Sequence, residues 1–274
     1  MRFLIQNAAT PYGTQFIYFH ECLSKIDGVE TDAISHISDE KAMDSKLEKK
    51  PDFIICHAGS LTNQIVDYCK KNESSCLCLD IHGLSHEELD EIRGHLQLSK
   101  FLNVCYLQLL PAADMFLPVS DAKFSINRLI IAENECQEAR DLCDSDTYHK
   151  GQYGKLNSEF FDFDVNLVKL ASLYHNYDEV CLVGSTQMMS GQLFLDAILR
   201  SKKLTVKITD NGRLEELFDK YLEPFEANSE EELMLKVRKQ IMEKHNCFER
   251  TAEFLEIVGE KTLAEKVRKE GERV

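Results

Sequence analysis

The amino-acid sequence predicts an α/β fold made of two halves, each a parallel β-sheet covered by helices. Three observations predict it. Short apolar runs alternate with segments of helical spacing from residue 2 to about residue 97. The same alternation returns from Glu179 to Glu232 as strand, polar loop, helix, strand, turn and helix. The apolar runs open into loops that collect polar residues and glycine. Strands joined through helices pair in parallel, with right-handed crossovers. Ligands of such sheets sit outside the carboxyl ends of the strands, so those loops are the first candidates for a site.

In chain order, Arg2 to Gln6 reads as a short buried strand, followed by a loop to Thr14 with Pro11 and Gly13. Phe16, Phe19, Leu23 and Ile26 recur at helical spacing, and Gly28 stops that helix. Thr31 to Ile37 suggests a second strand, and Asp39 to Lys50 a charged helix closed by Pro51. Asp52 to Cys56 is a third strand running into His57-Ala-Gly59, and Thr62 to Lys71 a third helix. Cys76 to Asp80 is a fourth strand ending in Ile81-His82-Gly83. Ser85-His-Glu-Glu88 has the capping-box pattern of a helix start, and the helix continues to about Gln97. Leu102 to Leu110 is an apolar run apart from Asn103 and Gln108.

The middle reads differently. Leu129 to Ala132 is a strand, but Glu133 to Asp146 is acidic and poor in large apolar residues. With the run to Gly154 it reads as a linker or mobile loop, with Gly151 and Gly154 as hinges. Asp162 to His175 carries an apolar set at helical spacing and reads as a helix. Then come the strand Val180 to Gly184, the loop Ser185 to Gly191 and the helix Gln192 to Arg200. The strand Leu204 to Ile208, the turn Thr209 to Arg213 and the helix Leu214 to Lys220 follow. Glu230 to Lys244 reads as an amphipathic helix and Glu249 to Val258 as another, and Lys261 to Val274 is charged and peripheral.

Several runs carry a resemblance. Phe194-Leu-Asp-Ala-Ile198, Thr209-Asp210, Gly212 and Leu214-Glu-Glu-Leu-Phe218 resemble, in that order, the C-terminal half of nucleotide-sugar glycosyltransferases of the GT-B type. Leu79-Asp-Ile-His-Gly83 and Ala112-Ala-Asp-Met-Phe-Leu-Pro-Val-Ser120 resemble segments of that family's acceptor domain, the latter its closing strand. The resemblance implies two Rossmann-like halves facing across a cleft, with the second abbreviated. It implies an acceptor-side domain over 1–125 and a donor-side domain with C-terminal helices over 126–274. In that family the last helix often crosses back to the first domain. Asp196 would then hold the donor ribose, and Glu216 would lie near the donor sugar or phosphates. Asp196 is shorter than the family's usual Glu, and Arg200-Ser-Lys202 replaces its Ala-Cys-Gly.

Other site readings rest on the residues themselves. Ser185, Gly191 and Gly212 belong to polar loops at strand ends, the donor side of the resemblance. Gly13 opens a helix and would present backbone N–H groups to a phosphate, or it serves a tight turn. No Gly-x-Gly-x-x-Gly, Walker or Gly-x-Ser-x-Gly motif is present. If an acceptor must be deprotonated, His82 or His57 is the candidate catalytic base; alternatively His82 serves the start of the helix at Ser85.

Composition bounds the function. The formal net charge is −15 and the pI about 5.1, a field that repels nucleic acid and anionic membranes. No apolar run reaches the roughly 18 residues of a membrane span, and Met1 to Gln6 is too short an apolar run for a signal peptide. The ten cysteines lack a Cys-x-x-Cys pair and mostly lie in apolar or helical runs, which argues against a metal site and for a reducing cytoplasm. The expectation is a metal-independent glycosyltransferase with a nucleotide-sugar as co-substrate, no separate cofactor and an unidentified acceptor. The alternative is a catalytically inactive binding protein on the same scaffold, for fold does not fix function.

Overall fold

A computed structural model describes residues 1–7, 15–35, 40–81, 84–98, 103–109, 112–116, 123–143, 148–153, 156–165, 171–189, 191–212 and 230–273. The chain divides into two compact units, Met1–Leu110 with Cys247–Val274, and Pro111–Asn246. Each holds a five-stranded sheet, parallel throughout.

The first sheet joins β1 (Arg2–Asn7), β2 (Glu30–Ser35), β3 (Phe53–His57), β4 (Cys76–Asp80) and β5 (Val104–Leu107) in the order β2-β1-β3-β4-β5. β3 is buried along its whole length, as a central strand covered on both faces must be. On one face Leu4, Ile54, Cys56, Leu77 and Leu79 meet Ile65, Val66 and Cys69 of helix α3 (Asn63–Lys71). Met43 and Leu47 of α2 (Glu40–Leu47) join that core.

Phe16, Phe19 and Leu23 of α1 (Gln15–Ser24) are fully buried, as their spacing predicts. Thr62 caps α3, its Oγ1 accepting the Ile65 N–H at 3.4 Å. The capping box of α4 (His86–Leu98) is formed: Ser85 N–H donates to Glu88 Oε2 at 2.8 Å and Glu88 N–H to Ser85 Oγ at 3.3 Å.

The second sheet joins β6 (Arg128–Ala132), β7 (Tyr148–Tyr153), β8 (Phe163–Val165), β9 (Glu179–Gly184) and β10 (Leu204–Ile208) in the order β10-β9-β6-β7-β8. Here the structure corrects the sequence reading. The stretch read as a linker contains helix α5 (Gln137–Leu142) and β7, and the proposed hinge Gly151 is buried inside β7. The stretch read as one helix from Asp162 contains β8 and a 3-10 turn at Ala171–Asn176. β7 is polar in sequence, so its position between β6 and β8 is fixed by backbone pairing and by Tyr148 in the core. Residues 112–116, matched to a closing strand, form no strand; Ala113 makes a single bridge to Asn246.

The helices past residue 229 are α8 (Glu230–Lys244), α9 (Cys247–Ile257) and α10 (Lys261–Gly271). α9 and α10 belong with the first sheet, whereas the sequence reading groups them with the second half. The physical reason is aromatic: Phe254 of α9, 1% exposed, meets the Phe19 ring edge-on at 5.2 Å. All ten cysteines carry free thiols.

Candidate functional site

In the second sheet the chain runs from β6 out to β7 and β8, then returns to β9 and β10 on the other side of β6. The strand order therefore reverses between β6 and β9, and such a reversal leaves a crevice at the carboxyl edge. Glu133 follows β6 and Ser185 follows β9. The Ser185 backbone N–H donates to Glu133 Oε2 at 2.9 Å, so one hydrogen bond spans the switch point. The Glu133 main chain is held as well. Its N–H donates to the Val183 carbonyl at 3.0 Å, and its carbonyl accepts Gln152 Nε2 at 3.4 Å.

The loop after β10 joins this arrangement. Asp210 Oδ2 accepts the Thr186 N–H at 2.8 Å and the Thr186 hydroxyl at 2.7 Å. Asp210 Oδ1 accepts the Gly212 N–H at 3.0 Å. The Thr186 hydroxyl, then the Thr186 and Gly212 amides, hold the Asp210 carboxyl below the usual carboxylate range. A Cβ at Gly212 would stand 2.0 Å from Thr186 Cγ2, so a side chain there would force Thr186 to move. Ser185 Oγ accepts the Met188 N–H at 3.3 Å and so opens the short helix α6 (Thr186–Met189).

Two carboxylates are thus anchored by backbone amides at three neighbouring strand ends. An ionised carboxylate has two oxygens and about four acceptor sites. Among the described residues, the bonds above use one site on Glu133 and three on Asp210, and a carboxylate site left open suits a hydroxyl donor. The Ser185 and Thr186 amides, which would suit an anion, already hold carboxylates.

Of the residues singled out in the sequence, Ser185 and Gly212 come together in this cluster through Thr186 and Asp210. Gly191 caps helix α7 (Gln192–Arg200), and a Cβ there would meet only the Met188 carbonyl oxygen, at 3.8 Å. Asp196 lies within α7, 2% exposed, with Oδ1 accepting the Asp114 N–H at 2.9 Å. His57 ends β3 in the first sheet, 5% exposed, beside Asp80 across the β3–β4 pairing. Its Nδ1 accepts the Gly59 N–H at 3.2 Å, a bond that places the proton of the neutral ring on Nε2. His82, Gly13 and Glu216 lie outside the described residues.

Glu133 and Thr186 were not singled out in the sequence, and Asp210 entered only as part of a motif match. The signal for Glu133 is positional: it is the first polar residue after the apolar run Leu129-Ile-Ile-Ala132. Among the described residues, no group of three or more His, Cys, Asp or Glu side chains is placed to hold a metal ion. No described helix is long and apolar enough to cross a membrane.

No family model and no curated protein matches the chain. Solved structures do. One is the S. aureus MnaA–UDP co-structure, 12% identical over 97% of this chain and 94% of that one, with a TM-score of 0.47. Another is the glycosyltransferase VinC in complex with DTDP, 11% identical over 97% and 100%, with a TM-score of 0.47. A third is UDP-GlcNAc 2-epimerase from Neisseria meningitidis bound to UDP-GlcNAc, 9% identical over 98% and 99%, with a TM-score of 0.42. Over nearly its whole length the chain is therefore similar to glycosyltransferases and to UDP-GlcNAc 2-epimerases of low sequence identity.

Proposed function

We propose that the chain binds a nucleotide-sugar at the carboxyl edge of the second sheet and transfers its sugar to an acceptor. The observation that carries this reading is the pair of amide-anchored carboxylates, Glu133 and Asp210, at neighbouring strand ends. Carboxylates held by backbone amides are pre-aimed, and their spare acceptor sites match the hydroxyl groups of a sugar or a ribose. Ser185, Gly191, Gly212, Asp196 and Glu216 remain the proposed donor-side residues, with Gly13 a proposed phosphate contact and His57 and His82 the proposed bases. Buried Asp196 is assigned a positioning part through Asp114.

A second reading, a binding protein without transferase activity, is favoured by one observation. The two amides best placed for a diphosphate are already bonded to Glu133 and Asp210. The test is calorimetric titration of the full chain with UDP, GDP, CDP and dTDP and with their sugar conjugates. Under the first reading one conjugate binds more tightly than its bare nucleotide and slowly releases nucleoside diphosphate when acceptors are added. Binding without release selects the second reading. A chain that binds none of the panel at millimolar concentration excludes both.

A further inference from the structure

The first unit contains a cavity of about 490 Å³ that plays no part in the donor reading. It is lined by Tyr18 of α1, Leu109 beyond β5, and Arg250, Glu253, Phe254 and Ile257 of α9. Tyr18 is 1% exposed, yet its hydroxyl has no hydrogen-bond partner among the described residues. A buried hydroxyl without a partner is costly, and proteins keep few of them. Beside it lies Arg250, 7% exposed and ion-paired with Glu253. Burial pushes the Tyr18 phenol well above its ordinary value, and Arg250 is close enough to oppose that effect. Leu109 and Phe254 are buried apolar surface, while Ile257 stands 62% exposed. The cavity therefore joins an oxygen-seeking end, made of one phenol and one guanidinium, to an apolar wall.

We propose that this cavity binds a small molecule with an apolar body and one carboxylate, the carboxylate meeting the Tyr18 hydroxyl and the Arg250 guanidinium. The body lies on Leu109, Phe254 and Ile257. Two donors at one cavity, one of them charged, select an oxygen acceptor with negative charge. Glu253 and Glu256 are also at the cavity, and their charge disfavours multiply charged anions such as phosphate. The site lies wholly in the first unit, so it stands or falls independently of nucleotide-sugar binding.

The experiment is a ligand-observed NMR titration of the full chain and of Tyr18→Phe with benzoate, benzyl alcohol and benzylamine. The expected result is that the wild type binds benzoate more tightly than the alcohol and does not bind the amine. Tyr18→Phe should bind benzoate about tenfold more weakly, one lost hydrogen bond to a charged group. The variant should also melt no lower than the wild type, because the hydroxyl has no partner among the described residues to lose. Benzoate binding no stronger than benzylamine binding, or equal benzoate affinity in both proteins, overturns the proposal. A lower melting temperature for Tyr18→Phe overturns it as well, since the hydroxyl would then have a structural role.

Discussion

The Asp196 carboxylate accepts the backbone N–H of Asp114 at 2.9 Å, where Asp196 is only 2% exposed. One turn further along the same helix, Arg200 Nη2 donates to the Asp114 carbonyl. The peptide groups on both sides of Asp114 are therefore held by α7. Burial, with the nearby charge of Asp114, outweighs the Asp114 amide and pushes the Asp196 carboxyl up to about 7.

That shift fixes a sign. An acid whose folded pKa lies above its unfolded value of about 4 binds protons more tightly when folded. Its contribution to stability is complete below about pH 4 and is lost as pH rises to about 7. Asp196→Asn keeps the acceptor for Asp114 and cannot ionise. Between pH 4 and pH 8 the wild type should lose on the order of 1–4 kcal/mol relative to that variant. Urea unfolding of both proteins across this range is the check, and a difference independent of pH removes the titration. Asp196→Ala instead removes the side-chain acceptor of the Asp114 N–H and should cost about 1–3 kcal/mol even at low pH.

The first sheet was legible because its inner strands are apolar runs and its helices repeat at Phe16, Phe19 and Leu23. β7 was not, because Tyr148-His-Lys-Gly-Gln-Tyr153 has little apolar pattern. Its buried Gln152 is satisfied from a distance, giving Nε2–H to Asn157 Oδ1 at 2.6 Å and taking the Asn157 N–H at 2.8 Å. The Ser185 and Gly212 loops were legible as polar strand ends. Their partners were not, because Glu133 lies 52 residues from Ser185 and Asp210 lies 24 from Thr186. Only the sheet order brings those pairs together.

Gly212 and Gly191 separate a glycine that is needed from one that is not. At Gly212 an added methyl would overlap Thr186 Cγ2 at 2.0 Å. Thr186 is short and tied to Asp210, so it has little room to yield. Gly212→Ala should destabilise by about 1–3 kcal/mol. At Gly191 the backbone has φ −106° and the nearest atom to a Cβ is 3.8 Å away. Gly191→Ala should lie within about 0.5 kcal/mol of the wild type or gain slightly through the unfolded state. Denaturant midpoints of the two variants decide it, and equal effects would show that the Asp210–Thr186 contact does not constrain the loop.

Glu133→Gln tests the reading of the switch point. The amide oxygen still accepts the Ser185 N–H, while the negative charge is gone. A ligand held through hydroxyl groups should lose about five- to tenfold in affinity, the difference between a charged and a neutral acceptor. A bare nucleoside diphosphate should gain, because a repulsive charge has left the edge. Titration of the variant with UDP and UDP-sugars measures both. If conjugate and bare nucleotide respond alike, Glu133 does not face the sugar.

Phe254→Ala tests whether the C-terminal helices complete the first sheet. Phe254 is 1% exposed and meets Phe19, which packs its own ring 4.7 Å from that of Tyr18. Removing a buried ring of this kind costs about 3–5 kcal/mol through lost burial and the cavity left behind. The loss should appear where the ring packs. Hydrogen exchange should quicken at the amides of α1 and of Phe3 to Gln6 in β1, and stay unchanged at Leu129 to Ala132 in β6. Faster exchange confined to α9 and α10 would mean that these helices rest on the first sheet without stabilising it. The grouping of Cys247–Val274 with Met1–Leu110 would then be a matter of proximity alone.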